Sequence, residues 1–242
     1  MARLVHGFHL TKKRKHKITT FFLLFFILAI IITISISAGD SLGLLIQALC
    51  LSLFRLIFAY LISLFVAVLI AISINNSKLG DSLIPIFDLM QNLPSFALIP
   101  LFVFYFGYTS LMTIIFAATS ILWPILFYVL HALKTADKDQ ENAARIFGAH
   151  GLKKILFFSL PVAFPAIITG SIVGFSIGWE AVIGVEIIGL STGIGPFLNN
   201  DNSSSMHNKT LILGISALLV VVFLINRLVW MPLLKKTQLY AN

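Results

Sequence analysis

Five stretches of this chain run for 17 residues or more without an aspartate, glutamate, lysine or arginine, and their lengths leave few folds open. A helix needs about 20 apolar residues to cross a hydrocarbon layer roughly 30 Å thick, and backbone groups in lipid must find their hydrogen bonds internally. Ile18 to Gly39 and Leu56 to Ser77 each supply 22 residues, Leu89 to Leu133 supplies 45, and Ile155 to Trp179 supplies 25. Thr210 to Asn226 adds 17 before Arg227, whose long stem can snorkel to the headgroups. None of these runs alternates with the ten-residue rhythm of a transmembrane β-barrel. Only 11% of residues are charged, where a soluble domain carries about a quarter. The chain reads as an all-α integral membrane protein.

Six helices are expected at about 19–38, 47–74, 83–106, 110–132, 162–190 and 210–230. They follow a basic segment, residues 1–18, and precede a tail, residues 231–242. The 45-residue run is cut at Gly107-Tyr108-Thr109-Ser110, a turn-forming sequence. The polar Ser191–Ser205 region is expected to leave the lipid. Placing both termini on the cytoplasmic side puts 15 of the 17 basic residues there, as the bias of Lys and Arg toward cytoplasmic loops requires. The first apolar run also has the shape of a secretory signal, with Ser37, Ala38 and Gly39 behind it. Its length and the even helix count favour an uncleaved first span. Pro85, Pro94, Pro100 and Pro124 interrupt the third and fourth helices, which suits a lined cavity.

Several functions are excluded by what the pattern lacks. The net charge of +8 follows from membrane topology and contact with anionic lipid, so no nucleic-acid partner is needed. No lysine follows a glycine, so the phosphate-cradling GxxxxGK[ST] loop is missing and ATP is not bound by that route. The six histidines form no HExxH pair, and Cys50 is the single cysteine. No catalytic, metal or cofactor residues are assigned. His131 reads as an interfacial residue, and the Phe102–Tyr108 aromatics read as an interfacial belt.

The informative segment is polar: Asp137 to Pro161, DKDQENAARIFGAHGLKKILFFSLP. Asp137, Asp139 and Glu141 precede Arg145, which places acids early and a base late in a short helix, as the helix dipole favours. Gly148 and Gly151 break it, and Leu152–Leu160 lead back to the membrane at Pro161. This spacing resembles the EAA, three residues, G, nine residues, I-x-LP signature of permease subunits of binding-protein-dependent ATP-binding cassette importers. Asn142-Ala143-Ala144 stands for EAA, with Glu141 displaced by one position. Gly148 is the central glycine, Phe158 stands where Ile is usual, and Leu160-Pro161 closes the pattern. The segment Asn92-Leu93-Pro94-Ser95-Phe96 through Gly107, with Ser52-Leu53-Phe54-Arg55, is similar to permeases for nitrate, taurine and aliphatic sulfonates.

The resemblance implies the six-helix fold of type I importer permeases in a bacterial-type inner membrane. It implies a second permease copy, forming a homodimer around the pathway, two cytosolic ATPase subunits and an external substrate-binding protein. ATP and Mg²⁺ would be held in the ATPase subunits and none in this chain, which would not itself be an enzyme. Glu141, Asn142, Ala143, Ala144, Arg145, Gly148, Leu160 and Pro161 would form the coupling contact. The expected solute is a small organic or inorganic oxyanion such as sulfonate, taurine or nitrate. In the membrane, Arg55, Glu180 and Glu186 are candidate pathway residues, with Glu180 facing the pathway or paired with Arg55. Gly170, Gly174 and Gly178 form a stripe either near the pathway or dimer axis, or in packing within one subunit. An ion-driven secondary transporter is the competing reading. It should show internal repeats with paired broken helices, and none is evident.

Overall fold

The computed structural model describes residues 41–75, 80–92, 94–199 and 205–240. The first expected span, at 19–38, and the basic segment before it lie outside these residues. Every regular element among the described residues is helical. Four helices are long and apolar enough to cross a membrane: α1 (Ser41–Asn75), α4 (Ser110–Lys134), the run Leu152–Gly189, here α6, and Leu211–Thr237 within α8, which runs from Ser205 to Tyr240. Between them lie α2 (Gly80–Gln91), α3 (Ile99–Phe106), α5 (Lys138–Ile146) and the short α7 (Ile194–Leu198).

The third expected span is not one straight helix. Pro85–Gln91 and the helical run Ser95–Phe106 meet at 85°. Pro94 disfavours helical geometry in the residue before it, and its own ψ of 111° is extended. The fifth helix differs too: it begins at Leu152, ten residues before the expected boundary, and its 38 residues are about 57 Å long. That exceeds the hydrocarbon thickness, so α6 projects beyond the lipid at one end or both. A π-turn at Ile155–Ser159 sits just before Pro161. Proline lacks the amide that would bond back four residues, and a widened turn is a common way to accommodate the ring.

The core forms where α4 lies between α1 and α6. Small side chains let the backbones approach: Ala59, Ala67 and Ala71 on α1, Ala117 on α4, and Ala163 on α6 are fully buried. Without a hydrophobic drive between helices in lipid, such close packing and interhelical hydrogen bonds hold a bundle together. Ser63 donates to the carbonyl of Ala118 at 2.7 Å, and the Tyr60 hydroxyl lies 3.0 Å from that of Ser171.

Gly170, Gly174 and Gly178 belong to this packing, the within-subunit alternative of their two readings. A Cβ at Gly170 would come within 3.0 Å of the Ile125 Cα, and one at Gly174 within 3.0 Å of the Ile121 carbonyl oxygen. The stripe faces α4 of the same chain because only glycine admits that helix so closely. Gly170→Ala is therefore expected to destabilise the purified chain by about 1–3 kcal/mol, since backbone must shift to make room. Gly43→Ala, with nothing within 4 Å, should leave the thermal midpoint unchanged or raise it.

Candidate functional site

Two polar constructions stand at opposite ends of the helices. The first is α5 and its turn. The Asp137 side chain caps the helix by accepting from the Asp139 amide at 2.9 Å, and Asp139 and Glu141 fill the first turn. The helix stops in a Schellman turn. Gly148 N–H donates to the Arg145 carbonyl and Ala149 N–H to the Ala144 carbonyl, both at 3.0 Å. This closure needs a positive φ at Gly148, which is +85°, while a Cβ there would meet nothing within 4 Å. Backbone conformation, rather than space, requires glycine at the centre of the motif.

No residue of α5 is fully buried, so ion pairing does much to hold it in place. Glu141 Oε1 accepts from Lys154 Nζ and from Arg145 Nη2, each at 2.7 Å. Lys154 stands at the foot of α6, so the first pair ties α5 to that helix. These cations, Lys154 first and Arg145 second, hold the Glu141 carboxyl below the usual glutamate range. Asn142, Ala143, Gly148 and Arg145 face outward and Ala144 is half-buried. Leu160 and Pro161 restart α6 after its π-turn. Sequence reasoning missed Ile146 and Phe147, which are 84% and 90% exposed beside the turn. Their signal was two adjacent large apolar residues inside an otherwise polar segment.

The second construction is a buried ion pair. Arg55 Nη1 lies 2.6 Å from Glu186 Oε1, with side chains 1% and 0% exposed. Arg55 also donates to the Thr192 carbonyl at 2.8 Å, to the Thr192 hydroxyl at 2.7 Å and to the Ser110 hydroxyl at 2.9 Å. Glu186 accepts from the Gly195 amide at 3.0 Å, and the Ser52 hydroxyl is 2.7 Å from its Oε2. The Ile194 amide in turn donates to Ser52 at 2.9 Å. Ser52 and Arg55, three residues apart on one face of α1, thus grip both the end of α6 and the loop after it. Gly193, at φ +110°, passes against the Glu186 carboxylate where a side chain would collide.

This geometry corrects three assignments. Arg55 pairs with Glu186, not Glu180, because Glu180 lies about 9 Å further along the axis and on another face. Arg55 and Glu186, being fully enclosed, do not line a pathway. Glu180 is exposed together with Ser176 on the free side of α6. It lies within the apolar run of α6, where a carboxylate facing lipid would cost at least a few kcal/mol. Near it, Ile172, Phe175, Trp179, Ile225, Asn226 and Trp230 line a groove of about 280 Å³ between α6 and α8. The Trp179 indole N–H is buried without an acceptor among the described residues.

The family model of the binding-protein-dependent transport system inner membrane component matches residues 59–231, most of the chain and the whole of the α5 segment. The chain belongs to this family. As an inner membrane component it is a multi-pass transport protein, similar to the taurine transport permease TauC of Escherichia coli K12 at 28% identity over 142 residues, 59% of this chain and 51% of that protein. It is also similar to the aliphatic sulfonates permease SsuC of the same organism, 31% identical over 107 residues, 44% and 41% of the two chains. The nitrate import permease NrtB of Leptolyngbya laminosa is 28% identical over 148 residues, 61% and 53%. The chain spans about half the length of the curated relatives it matches.

Removing one partner of the Arg55–Glu186 pair is expected to lower folding stability by about 3–5 kcal/mol, since the other charge stays buried and unpaired. The double replacement Arg55→Met with Glu186→Gln should restore much of that loss in denaturant unfolding of the purified chain. Additive losses would mean that the two groups are not coupled. Glu141→Gln should speed hydrogen exchange in α5 no more than roughly fivefold, as for a solvent-exposed pair. Because the Glu141 pKa is lowered, the pair is intact at neutral pH and is lost only as pH falls through that lowered value. The protection of the α5 amides, taken relative to the intrinsic exchange rate at each pH, should therefore fall at acid pH in the wild type, and Glu141→Gln should show none of this change.

Proposed function

We propose that this chain is the permease subunit of an ATP-binding cassette importer for a small oxyanion, taurine, another sulfonate or nitrate. The single observation that carries the reading is α5: an exposed helix, closed by the Gly148 turn and tied to α6 through Glu141 and Lys154. An outward surface of small residues, Asn142, Ala143 and Gly148, admits close approach of a partner, and Ile146 and Phe147 offer apolar area beside it. In this reading two cytosolic ATPase subunits, which hold ATP and Mg²⁺, receive the two α5 helices of a permease pair. Six spans with both termini cytoplasmic place α5 on their side of the membrane. Nucleotide-driven closure of the ATPases brings the two α5 helices together, and each push passes through the Glu141–Lys154 tie into α6. The transport cycle is then a population shift between inward-open and outward-open states, driven by differential nucleotide affinity.

The opposite end of α6 is held by the buried pair, so motion entering at Lys154 acts on a rod whose far end is locked to α1. The uncovered Ser176 and Glu180 face fits the pathway or the second copy, and an external binding protein delivers the solute. The solute class is supported by the relatives' named substrates. It gains nothing from Arg55, whose charge is cancelled by Glu186.

The test is uptake of radiolabelled taurine, alkanesulfonate and nitrate into vesicles holding the chain with its ATPase and binding protein. Uptake should require ATP. Ala143→Trp should reduce it more than tenfold while leaving ATP hydrolysis by the isolated ATPase untouched. With Cys50→Ser as background, Ala143→Cys should cross-link to the ATPase subunit. Proton- or sodium-driven uptake by the chain alone would replace this reading with a secondary transporter.

A further inference from the structure

The groove of about 280 Å³ between α6 and α8 has two walls of opposite chemistry. On α6 the Ser176 hydroxyl donates to the Ile172 carbonyl at 3.0 Å, so it meets the groove as an acceptor. One turn further on the same face stands the Glu180 carboxylate, exposed and without an ion pair among the described residues. On α8 the exposed Asn226 amide lines the groove, and Arg227, also exposed and without an ion pair among the described residues, follows it directly. Trp179, only 6% exposed, lines the groove as well, and its indole N–H is the donor left without an acceptor.

Arg227 stands inside its span rather than at the end of it. The apolar run of α8 is Leu211–Thr237. Trp230, about one turn past Arg227, packs edge-on against Tyr60 and Phe175, with ring centres 6.1 and 5.6 Å apart. Tyr60 is at the middle of the α1 run Gly43–Asn75. A guanidinium and a carboxylate set into two apolar runs are costly beside lipid, and such groups mark the path of a polar solute.

We propose that this groove binds a small zwitterionic solute, with its oxyanion toward the α8 wall and its ammonium toward the α6 wall. Asn226, Arg227 and the unsatisfied Trp179 N–H supply donors to the oxyanion, and Glu180 with the Ser176 oxygen supplies acceptors to the ammonium. The volume, about 280 Å³, lies at the lower edge of the roughly 300–1,000 Å³ usual for small-molecule sites, which suits a solute of a few heavy atoms. Taurine carries both charges. Ethanesulfonate and nitrate carry only the negative one, which Glu180 repels. The inference rests on the transport reading and narrows its solute to an aminosulfonate.

The experiment titrates the purified full chain in phosphatidylcholine nanodiscs and reads tryptophan emission, with Trp123→Phe as background so that only Trp179 and Trp230 report. Taurine should give a saturable change, and ethanesulfonate should need a concentration about tenfold higher. Glu180→Gln should raise the half-saturating taurine concentration about tenfold and leave that of ethanesulfonate unchanged or lower, which also shows that the variant is folded. Arg227→Gln should weaken both solutes. The proposal is overturned if taurine gives no saturable change, if the two solutes bind alike, if Glu180→Gln weakens both equally, or if either variant binds taurine as the background chain does. ATP-driven uptake into vesicles without any emission response would overturn the groove alone and leave the importer standing. Ion-driven uptake with the emission responses intact would support the groove and remove the importer.

Discussion

Taking Arg55 and Glu186 out of water together commits every neighbouring element to one arrangement. Each charge alone would carry a desolvation penalty of several kcal/mol, and the pair survives only because Ser52, Ser110, Thr192 and the Gly195 amide satisfy its remaining donors and acceptors. Those groups come from α1, from the start of α4, and from the loop and helix after α6. The pair therefore fixes the relative height of three spanning helices at one end of the bundle. The alanine and glycine contacts along α4 then follow as the close packing that this register allows.

The other end is built on the opposite principle. Within α5 no residue is buried, and its Glu141 pairs remain in contact with water, where exposed ion pairs are individually weak. A helix held this lightly can move relative to the spans at little energetic expense, while its turn stays well defined because the Gly148 closure is a matter of backbone geometry. One end of α6 is thus rigidly joined to α1 and the other is tied to a displaceable lever. That contrast suits the externally driven subunit proposed above.

Legibility differed sharply between these parts. The existence and approximate limits of the spanning helices at 47–74, 110–132 and 210–230 could be read because lipid demands long uncharged runs. The short helix in the polar segment could be read because its acids, base and glycine follow capping rules that act within a few residues. The break in the third expected span was harder: prolines were visible, but nothing local states that Pro94 turns the path by 85°. The glycine stripe was visible at its period of four, while the helix it faces was not.

By itself, the amino-acid sequence determined membrane insertion, helix type, the capped and glycine-closed α5 and the family resemblance, since all of these rest on local chemistry or on residue spacing. Tertiary structure alone decided that Arg55 meets Glu186 rather than Glu180, that Lys154 reaches back to Glu141, and that Gly170, Gly174 and Gly178 serve α4. The reason is physical: a partner on another helix is chosen by the relative height and rotation of whole helices. A sequence period gives one helix's faces, but it carries no information about which neighbour stands against them.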